Sequence, residues 1–256
     1  MFEANIETLT ALALGSLIGV VLGLLGSGGT MITLPVLVYV AGVPASEAVG
    51  MSLVVVGGTS LAGSLMQYRG GNLDLRAALI FAATGMAGAY GCARFTHLVS
   101  QPLLLTFFSA IMIGVGAALL RKRHATTAPS GERSVLRCAA AGAAMGGLTG
   151  FLGIGGGFLI VPALVWFAGL DIRKATATSL AVIALNSLAG LAGQIGQVHF
   201  DWRMALGLLC AATVGMAAGI AAKGRLSEHA IRKAFALAVF LLGLAMAWQN
   251  IPKLLK

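Results

Sequence analysis

Two glycine clusters, each followed by a proline, are the residues of this sequence that best predict a chemistry. They lie in GLLGSGGTMITLPVL, residues 23–37, and in GFLGIGGGFLIVPAL, residues 150–164. A helix that restarts after a glycine break presents free N–H groups and the positive end of its dipole, which attract anions. The clusters therefore predict a binding site for a small oxyanion. Its candidate residues are Gly26, Ser27, Gly28, Gly29 and Thr30 in the first cluster, and Gly153, Ile154, Gly155, Gly156 and Gly157 in the second.

Close helix packing is the other use of glycine in membrane proteins. That interpretation is sufficient for the separate glycines Gly50, Gly63, Gly85 and Gly88. It does not account for the two clusters, because close packing requires neither several glycines together nor a fixed proline behind them. A nucleotide-binding loop is excluded, since neither cluster follows a strand and no Lys-Ser or Lys-Thr pair completes the motif.

Neutral polar residues recur in the same order within two of the long hydrophobic segments. Spacings of seven and eight residues place them close to one face of a helix. Their hydroxyl and amide groups suit an oxyanion, and the alternative is hydrogen bonding between helices, which contributes about 0.6 kcal/mol on average in membranes. Both interpretations stay open. We assign Ser52, Gln67, Ser179, Asn186 and Gln194 to the candidate site, and the pattern also contains Thr59, Ser60 and Ser187.

Ionisable residues are excluded from the middle of the hydrophobic segments. The eight acidic residues border segments, lie in loops or stand near the N-terminus, so a carboxylate proton relay has no carrier. Asp74 and Asp201 each precede a segment and are predicted to cap the helix that follows. The four histidines lack metal-ligand spacing, and no nucleophile and base lie together within a segment. We therefore predict a protein that is not an enzyme and holds no metal or other cofactor.

The composition is typical of an integral membrane protein. Of the 256 residues 58% are hydrophobic and 10% are charged, and the mean hydropathy is +0.94. Soluble domains have about a quarter of their residues charged. The net charge of +9 does not indicate a nucleic-acid partner, because Lys and Arg lie in short hydrophilic breaks rather than on a basic face. The acidic N-terminus indicates that the first segment is a retained helix rather than a signal peptide.

The sequence is a tandem repeat in which Gly23 aligns with Gly150 and the rest of each half follows without a gap. Eight pairs of glycines coincide from Gly23 onward, and so do pairs of Pro, Ser, Gln, Asp, Arg and Phe. Residues at matching positions are called repeat mates below. Each copy divides into five hydrophobic segments, the second of which is too short to cross a hydrocarbon core about 30 Å thick. The predicted units are repeat 1 (1–120), a basic linker (121–134) and repeat 2 (135–256), with segments near 8–25, 29–41, 46–66, 75–95, 101–120, 135–152, 156–168, 174–194, 203–222 and 229–249.

These units predict an all-α polytopic membrane protein built as an inverted repeat. An odd number of segments in repeat 1 makes repeat 2 enter from the opposite side, as in many secondary transporters. With the N-terminus outside, 13 of the 17 Lys and Arg residues fall on the cytoplasmic side. We expect both termini outside and the linker in the cytoplasm. Depending on whether the short segments span or are re-entrant, roughly eight to ten segments cross the membrane.

The two glycine motifs, the two hydrophobic halves and the basic linker resemble the TauE/SafE sulfite exporter family, also called the toluenesulfonate uptake permease family. The resemblance covers nearly the whole chain and implies a bacterial inner-membrane carrier for sulfite, sulfonates, sulfoacetate and related anions. One departure is internal, because Ser27 and Thr30 of the first copy become Ile154 and Gly157 in the second. The positions that match the family motif are Gly26, Gly28, Gly29 and Pro35, with Gly153, Gly155, Gly156 and Pro162.

The leading hypothesis is a secondary transporter of small sulfur-containing anions that works by alternating access. The runner-up is an anion channel with the same half-helix pore, and an intramembrane enzyme is the least favoured class. The expected partners are a small organic or sulfur oxyanion and the lipid bilayer, without nucleic acid, and a homo-oligomer is compatible with the sequence. The transported substrate, the direction of flux and the coupling ion stay open.

Overall fold

The structure is a computed structural model that describes residues 2–25, 30–69, 71–121, 135–153, 157–196, 198, 200–222 and 228–254. No strand occurs among these residues, which confirms the predicted all-α class. The predicted linker lies outside them except for Arg121. The helices are α1 (Phe2–Leu25), α2 (Thr33–Pro35), α3 (Ala45–Arg69), α4 (Leu75–Ala93), α5 (Gln101–Leu120), α6 (Val135–Leu152), α7 (Gly157–Ala168), α8 (Ile172–Gln194), α9 (Trp202–Ala222) and α10 (Glu228–Leu254).

Among the described residues, six helices are long and apolar enough to cross a membrane. They lie in residues 45–68, 75–98, 101–120, 173–194, 202–222 and 233–253. Four shorter apolar stretches, residues 13–24, 30–40, 136–152 and 159–168, belong to α1, the α2 region, α6 and α7. The chain is thus a multi-pass membrane protein, and its described part contains six candidate spans rather than the roughly eight to ten expected from the sequence, because the apolar parts of α1 and α6 are shorter than 18 residues.

The two short helices differ in geometry. The first, residues 30–40, begins as a 3-10 turn, continues as α2 and ends as a π-helix over Val36–Val40. Pro35 lacks the N–H that a regular helical ladder needs at the point where the geometry changes. The second, α7, has 12 residues and stays α-helical around Pro162. A helix of that length extends about 18 Å, well below the thickness of the hydrocarbon core.

Aspartate residues fix the starts of three long helices. The Asp74 carboxylate accepts a hydrogen bond from the Ala77 N–H at 2.9 Å, and Asp171 accepts one from Lys174 at 2.9 Å. Asp201 accepts from Arg203 at 2.7 Å and from Met204 at 3.3 Å. Each carboxylate satisfies backbone donors that a helix start leaves free. The capping roles predicted for Asp74 and Asp201 are confirmed.

Glycines hold two pairs of parallel helices in backbone contact. On α1, a Cβ at Gly15 would lie 2.8 Å from the carbonyl oxygen of Leu208 in α9, and Gly19 and Gly23 meet the α9 backbone one and two turns later. On α6, Gly142, Gly146 and Gly150 meet the backbone of α4 in the same way. The residue numbers of the contacting positions increase together along the two helices, so the helices of each pair run parallel. The α4 partners are Phe81, Gly85 and Ala89, and their repeat mates Leu208, Ala212 and Met216 are the α9 partners.

Two further helix pairs run antiparallel. A Cβ at Gly50 would lie 2.9 Å from Gln194 Oε1, and a Cβ at Gly57 would lie 2.9 Å from Ser187 Cβ. Seven residues forward on α3 therefore correspond to seven residues backward on α8. In the α5 and α10 pair, Gly116 meets Phe240 while Gly243 meets Met112 and Ile113. In these two pairs, helices at matching positions of the two copies thus run in opposite directions.

The outer surface of the helices is rich in exposed apolar side chains. Val214 on α9 is 70% exposed and Leu136 on α6 is 80% exposed, as is expected of residues that face lipid. Trp166, Trp202 and Trp248 are also exposed and lie close to helix ends. Tryptophan favours the interface between lipid and water, so these residues suit a role as interfacial anchors.

The contact between α4 and α6 predicts a stability effect. Gly146→Ala places a methyl group on the carbonyl oxygen of Gly85, and we expect a loss of about 1–3 kcal/mol because the helices must separate. Gly114→Ala is the matched control, because a Cβ there has no atom within 4 Å; it should leave stability unchanged or raise it by up to about 1 kcal/mol. Thermal unfolding of the purified protein in detergent measures both. Equal midpoints for the two variants would contradict this packing.

Candidate functional site

Each glycine cluster lies between a long helix and a short one. α1 ends at Leu25 and helical structure resumes at Thr30, and α6 ends at Leu152 before α7 begins at Gly157. The candidate residues Gly26, Ser27, Gly28, Gly29, Ile154, Gly155 and Gly156 lie outside the described residues.

Gly153 ends α6 in a left-handed conformation. Its φ is +68°, and its N–H donates to the carbonyl of Thr149 at 2.8 Å. Glycine adopts this conformation without the cost that a Cβ imposes. A Cβ at Gly153 would also lie 2.5 Å from Ser52 Oγ and 2.7 Å from the carbonyl oxygen of Val49. Both φ and space therefore require glycine at the start of the second interruption.

Ser52 joins α3 to this interruption. Its fully buried hydroxyl lies 2.5 Å from the carbonyl oxygen of Gly153 and 3.0 Å from that of Val49. The single hydroxyl hydrogen can serve either acceptor, and the Gly153 carbonyl is the nearer. Ser179, the repeat mate of Ser52, donates to the carbonyl of Thr176 at 2.8 Å. Ser52 thus lies beside the end of α6. Ser179 instead bonds within its own helix, α8.

Seven buried polar atoms have no hydrogen-bond partner among the described residues. A buried donor or acceptor that lacks a partner costs about 1–3 kcal/mol. Such groups are rare in native structures, where water or a ligand can supply the bonds. Six of the seven atoms belong to α3 and α8. The atoms are Thr33 Oγ1, Ser60 Oγ, Asn186 Nδ2 and Oδ1, Ser187 Oγ, and Gln194 Nε2 and Oε1.

The centre of the α3 and α8 contact is polar on both helices. Ser60 on α3 and Ser187 on α8 are fully buried, and Gly57 provides the space in which Ser187 lies. Thr59 is also buried, but its hydroxyl is satisfied by the Val55 carbonyl at 2.7 Å. Hydroxyls without partners among the described residues therefore occupy the middle of this contact, where burial makes their cost largest.

Asn186 lies next to this centre and faces α4. A Cβ at Gly85 would lie 2.6 Å from its Oδ1 and 2.7 Å from its Nδ2, so the missing side chain of Gly85 makes room for the amide. Asn186 is fully buried. The repeat mates of Asn186 and Gly85 are Thr59 and Ala212, a smaller polar residue and a larger neighbour. The site is thus unequal in the two copies.

The two glutamines of the pattern have different environments. Gln194 at the end of α8 is 2% exposed, and both of its amide atoms lack partners among the described residues. Gln67 at the corresponding end of α3 is partly exposed. The repeat predicts equivalent roles for these residues, and the structure places them in unequal settings.

Sequence reasoning missed Thr33. Its hydroxyl is fully buried in α2 without a partner among the described residues. Its repeat mate is Ile160, so the paired pattern that identifies the other polar residues gives no signal here. Ser60 and Ser187 belong to the pattern but are not among the residues assigned to the site from the sequence. Thr30 and Gly157, which begin the two short helices, are buried.

The residues gathered around α3 and α8 are neutral. No group of three or more His, Cys, Asp and Glu side chains that could hold a metal ion occurs in the part of the chain that the structure describes. The chemistry these residues offer is hydrogen bonding from hydroxyls, amides and backbone groups. Such groups can bind and orient a small polar ligand.

Comparison with known proteins agrees with this architecture. The family model described as "Sulfite exporter TauE/SafE" matches residues 11–246. A "Probable membrane transporter protein" of Xylella fastidiosa strain 9a5c is 32% identical, over 92% of this chain and 93% of that protein. "Probable membrane transporter protein YdhB" of Bacillus subtilis is 30% identical, over 78% and 85%, and its YunE counterpart is 26% identical, over 93% and 96%. No solved structure matches the chain.

Proposed function

Because the chain belongs to the TauE/SafE sulfite exporter family of membrane transporters, we propose that it is a secondary transporter of small sulfur-containing anions such as sulfite, sulfonates or sulfoacetate. The anion crosses by alternating access, with no covalent chemistry and no cofactor. The observation that carries the proposal is the set of buried polar atoms on α3 and α8 without partners among the described residues, next to an interrupted helix.

A neutral site suits a small anion that must also leave. An isolated ion buried in hydrocarbon is very costly, and hydrogen bonds from hydroxyls, amides and backbone N–H groups offset much of that cost. A full positive charge would hold the anion more tightly than a carrier requires. Ser60, Ser187 and Asn186 provide donors at the centre of the α3 and α8 contact. The family description, sulfite exporter, supports the sulfur oxyanion as the substrate class.

Alternating access follows from the arrangement of the two copies. We propose that they form an inverted repeat related by a twofold axis in the membrane plane. Support comes from α3 and α8, which occupy matching positions and run antiparallel, and from glycine contacts that recur between repeat mates. An inverted repeat can exchange the conformations of its halves, which opens the same site first to one side and then to the other.

The interrupted helices complete the proposed site. We place α1 with the first short helix, and α6 with α7, as two re-entrant pairs whose breaks lie in the membrane beside the polar centre. Backbone off the helical path is tolerated at that depth only inside protein or beside a water-filled cavity. Ser52, which binds the Gly153 carbonyl, supports a position of the second break next to α3. We propose that N–H groups from the two predicted clusters, such as those of Gly28, Gly29, Gly155 and Gly156, point at the anion, whereas the Gly153 N–H is bonded to the Thr149 carbonyl.

The orientation is part of the proposal. We place both termini outside the bacterial inner membrane and the linker in the cytoplasm, on the charge distribution of the sequence. In that orientation the end of α8 at Gln194 and the start of α3 near Gly50 lie at the outer surface. The facing pair Gly50 and Gln194 supports a common location for these two helix ends.

Flux into and out of proteoliposomes tests the function. The purified protein is reconstituted, and uptake of radiolabelled sulfite, a sulfonate and sulfoacetate is compared with uptake of chloride and phosphate. We expect saturable uptake of at least one sulfur anion, and counterflow against the same anion preloaded in the lumen. Absence of flux for all sulfur anions, in protein that is folded by size-exclusion chromatography, overturns the proposed substrate class.

A channel would behave differently in the same assay. It would conduct without saturation in the concentration range of a carrier and would not support counterflow. Uptake that is linear in concentration and insensitive to preloading would therefore contradict the carrier and favour the channel. Empty liposomes provide the background.

A further inference from the structure

Gly50 on α3 is the contact point of two side chains from the other half of the chain. A Cβ at Gly50 would lie 2.8 Å from Phe200 Cε1, 2.9 Å from Phe200 Cδ1 and 2.9 Å from Gln194 Oε1. The edge of an aromatic ring and a carboxamide therefore share the space that the missing Gly50 side chain leaves. Phe200 is partly buried and packs against the apolar core around α3.

The carboxamide in this contact is buried without a bonding partner in the described structure. Gln194 is 2% exposed, and neither its oxygen nor its nitrogen has a hydrogen-bond partner among the described residues. A buried amide without bonds is unfavourable, so its partner is expected to be a ligand that reaches it in another state. Phe200 is the other side chain that lies against Gly50.

Phe200 is fixed to the start of α9. The next residue, Asp201, caps α9 through the N–H groups of Arg203 and Met204. The Phe200 ring also contacts Trp202, with ring centres 4.8 Å apart. A movement of the first turn of α9 relative to α3 would therefore carry the ring with it.

The opposite end of the α3 and α8 pair has different residues and a more exposed glutamine. The repeat mates of Gln194 and Phe200 are Gln67 and Leu73, and the repeat mate of Gly50 is Ala177. Gln67 is partly exposed, in contrast to Gln194. A glycine and an aromatic ring stand at one end, and an alanine and a leucine stand at the other.

We infer that Phe200 is a gate: it closes one end of the α3 and α8 site by lying on Gly50 over Gln194, while the end at Gln67 is the more accessible. The inference rests on the proposed alternating access and adds the residue that controls one face. When the ring leaves Gly50, the Gln194 amide becomes available to the incoming anion. In the proposed orientation this face is the outer one.

Thiol labelling tests the gate without any transported substrate. Cys92, Cys138 and Cys210 are replaced by alanine, and a single cysteine is introduced as Gln194→Cys or as Gln67→Cys. The probe is a membrane-impermeant quaternary-ammonium methanethiosulfonate, added to both sides of permeabilised proteoliposomes. We expect the cysteine at 194 to react at least tenfold more slowly than the cysteine at 67.

Two changes at the gate should then release the cysteine at 194. Phe200→Ala removes the ring, and Gly50→Ala introduces a Cβ that displaces it; each should raise the rate at 194 at least tenfold and leave the rate at 67 unchanged. Leu73→Ala, the repeat-related change, is the control and should not alter the rate at 194. Phe200→Leu retains part of the cover and should give an intermediate rate.

The outcomes separate the gate from the transport function. Equal labelling at 194 and 67 in the starting protein, or a rate at 194 that neither Phe200→Ala nor Gly50→Ala raises, overturns the gate even if sulfur anions are transported. The expected labelling pattern in a protein that transports no sulfur anion supports the gate and rejects only the substrate class. Phe200→Leu and Gly50→Ala keep the test decisive if Phe200→Ala fails to fold.

Discussion

Gly153→Ala is expected to lower the rate of transport at least tenfold, because two independent unfavourable effects meet at this residue. The φ of +68° costs an L-amino acid about 1–2 kcal/mol relative to glycine. The added Cβ would also lie 2.5 Å from Ser52 Oγ and 2.7 Å from the Val49 carbonyl. Relief requires α6 to move away from α3, which displaces the second interruption from the polar centre. We expect at least a tenfold fall in the rate of sulfur-anion uptake into proteoliposomes.

Gly169→Ala separates the two costs. Gly169 has a φ of +64°, but a Cβ there has no atom within 4 Å. The variant therefore carries the backbone cost alone, about 1–2 kcal/mol of stability, and should transport at a rate close to that of the unmodified protein. If Gly153→Ala transports as well as Gly169→Ala, the close contact between α6 and α3 is not required for function.

The course of the helices is readable from the sequence because it depends on local properties. The hydrophobic segments expected near 75–95 and 101–120 are the helices Leu75–Ala93 and Gln101–Leu120. Asp74 precedes the first of them and caps it as predicted. Gly153, the first glycine of the second cluster's GIGGG run, directly follows the end of α6 in a left-handed conformation, since glycine lacks the local preference that would carry a helix through. Long apolar runs, caps and breaks need no knowledge of distant residues.

Helix partners are less readable, because they depend on contacts between residues far apart in the chain. Gly19 and Gly146 make backbone contacts with α9 and α4. Within its own copy, each lies before Gly23 or Gly150, where the eight glycine pairs that reveal the repeat begin. The signal is present, since these two glycines are themselves repeat mates. The alignment does not show which helix each glycine contacts. It shows only that the two positions are equivalent in the two copies.

The candidate site shows the same limit at individual residues. The packing interpretation holds for Gly63 and Gly88, which meet Met216 and the Ala143 carbonyl. At Gly50 and Gly85 the free space is instead occupied by the amide groups of two residues on α8, Gln194 and Asn186. These glycines therefore belong to the surroundings of the proposed site. Only the fold reveals this, because the residues in each contact are distant in the sequence.

The two copies of the repeat place the two ends of the proposed site in unequal settings. A symmetric pair of halves would offer equal settings at both ends, whereas Gln194 is buried and Gln67 is partly exposed. Exchange of the two settings is what alternating access requires of an inverted repeat. The proposed transport cycle thus predicts a second state in which Gln67 is covered and Gln194 is accessible, which labelling during turnover can detect.

Asn186→Thr is expected to raise stability and to lower transport. Both amide atoms of Asn186 are fully buried without partners among the described residues. Threonine stands at the repeat-related position, where Thr59 bonds to the carbonyl four residues earlier at 2.7 Å. Threonine at 186 can bond to the carbonyl of Val182 in the same way, so about 1–3 kcal/mol of unfavourable burial is removed. If the amide binds the anion, uptake should fall at least tenfold.

The two readouts together distinguish a binding group from a packing group. A residue that only packs loses stability when its shape changes and leaves transport intact in the folded fraction, whereas a binding group shows the opposite pattern. Thermal unfolding in detergent and uptake at limiting sulfite measure the pair on one preparation. Thr59→Ser is the matched control, because it keeps the hydroxyl: it should leave transport unchanged and lower stability by about 1 kcal/mol through loss of a buried methyl group. A less stable Asn186→Thr variant with full transport would place Asn186 outside the binding site and leave Ser60 and Ser187 as the only unpartnered groups at the α3 and α8 centre among the described residues.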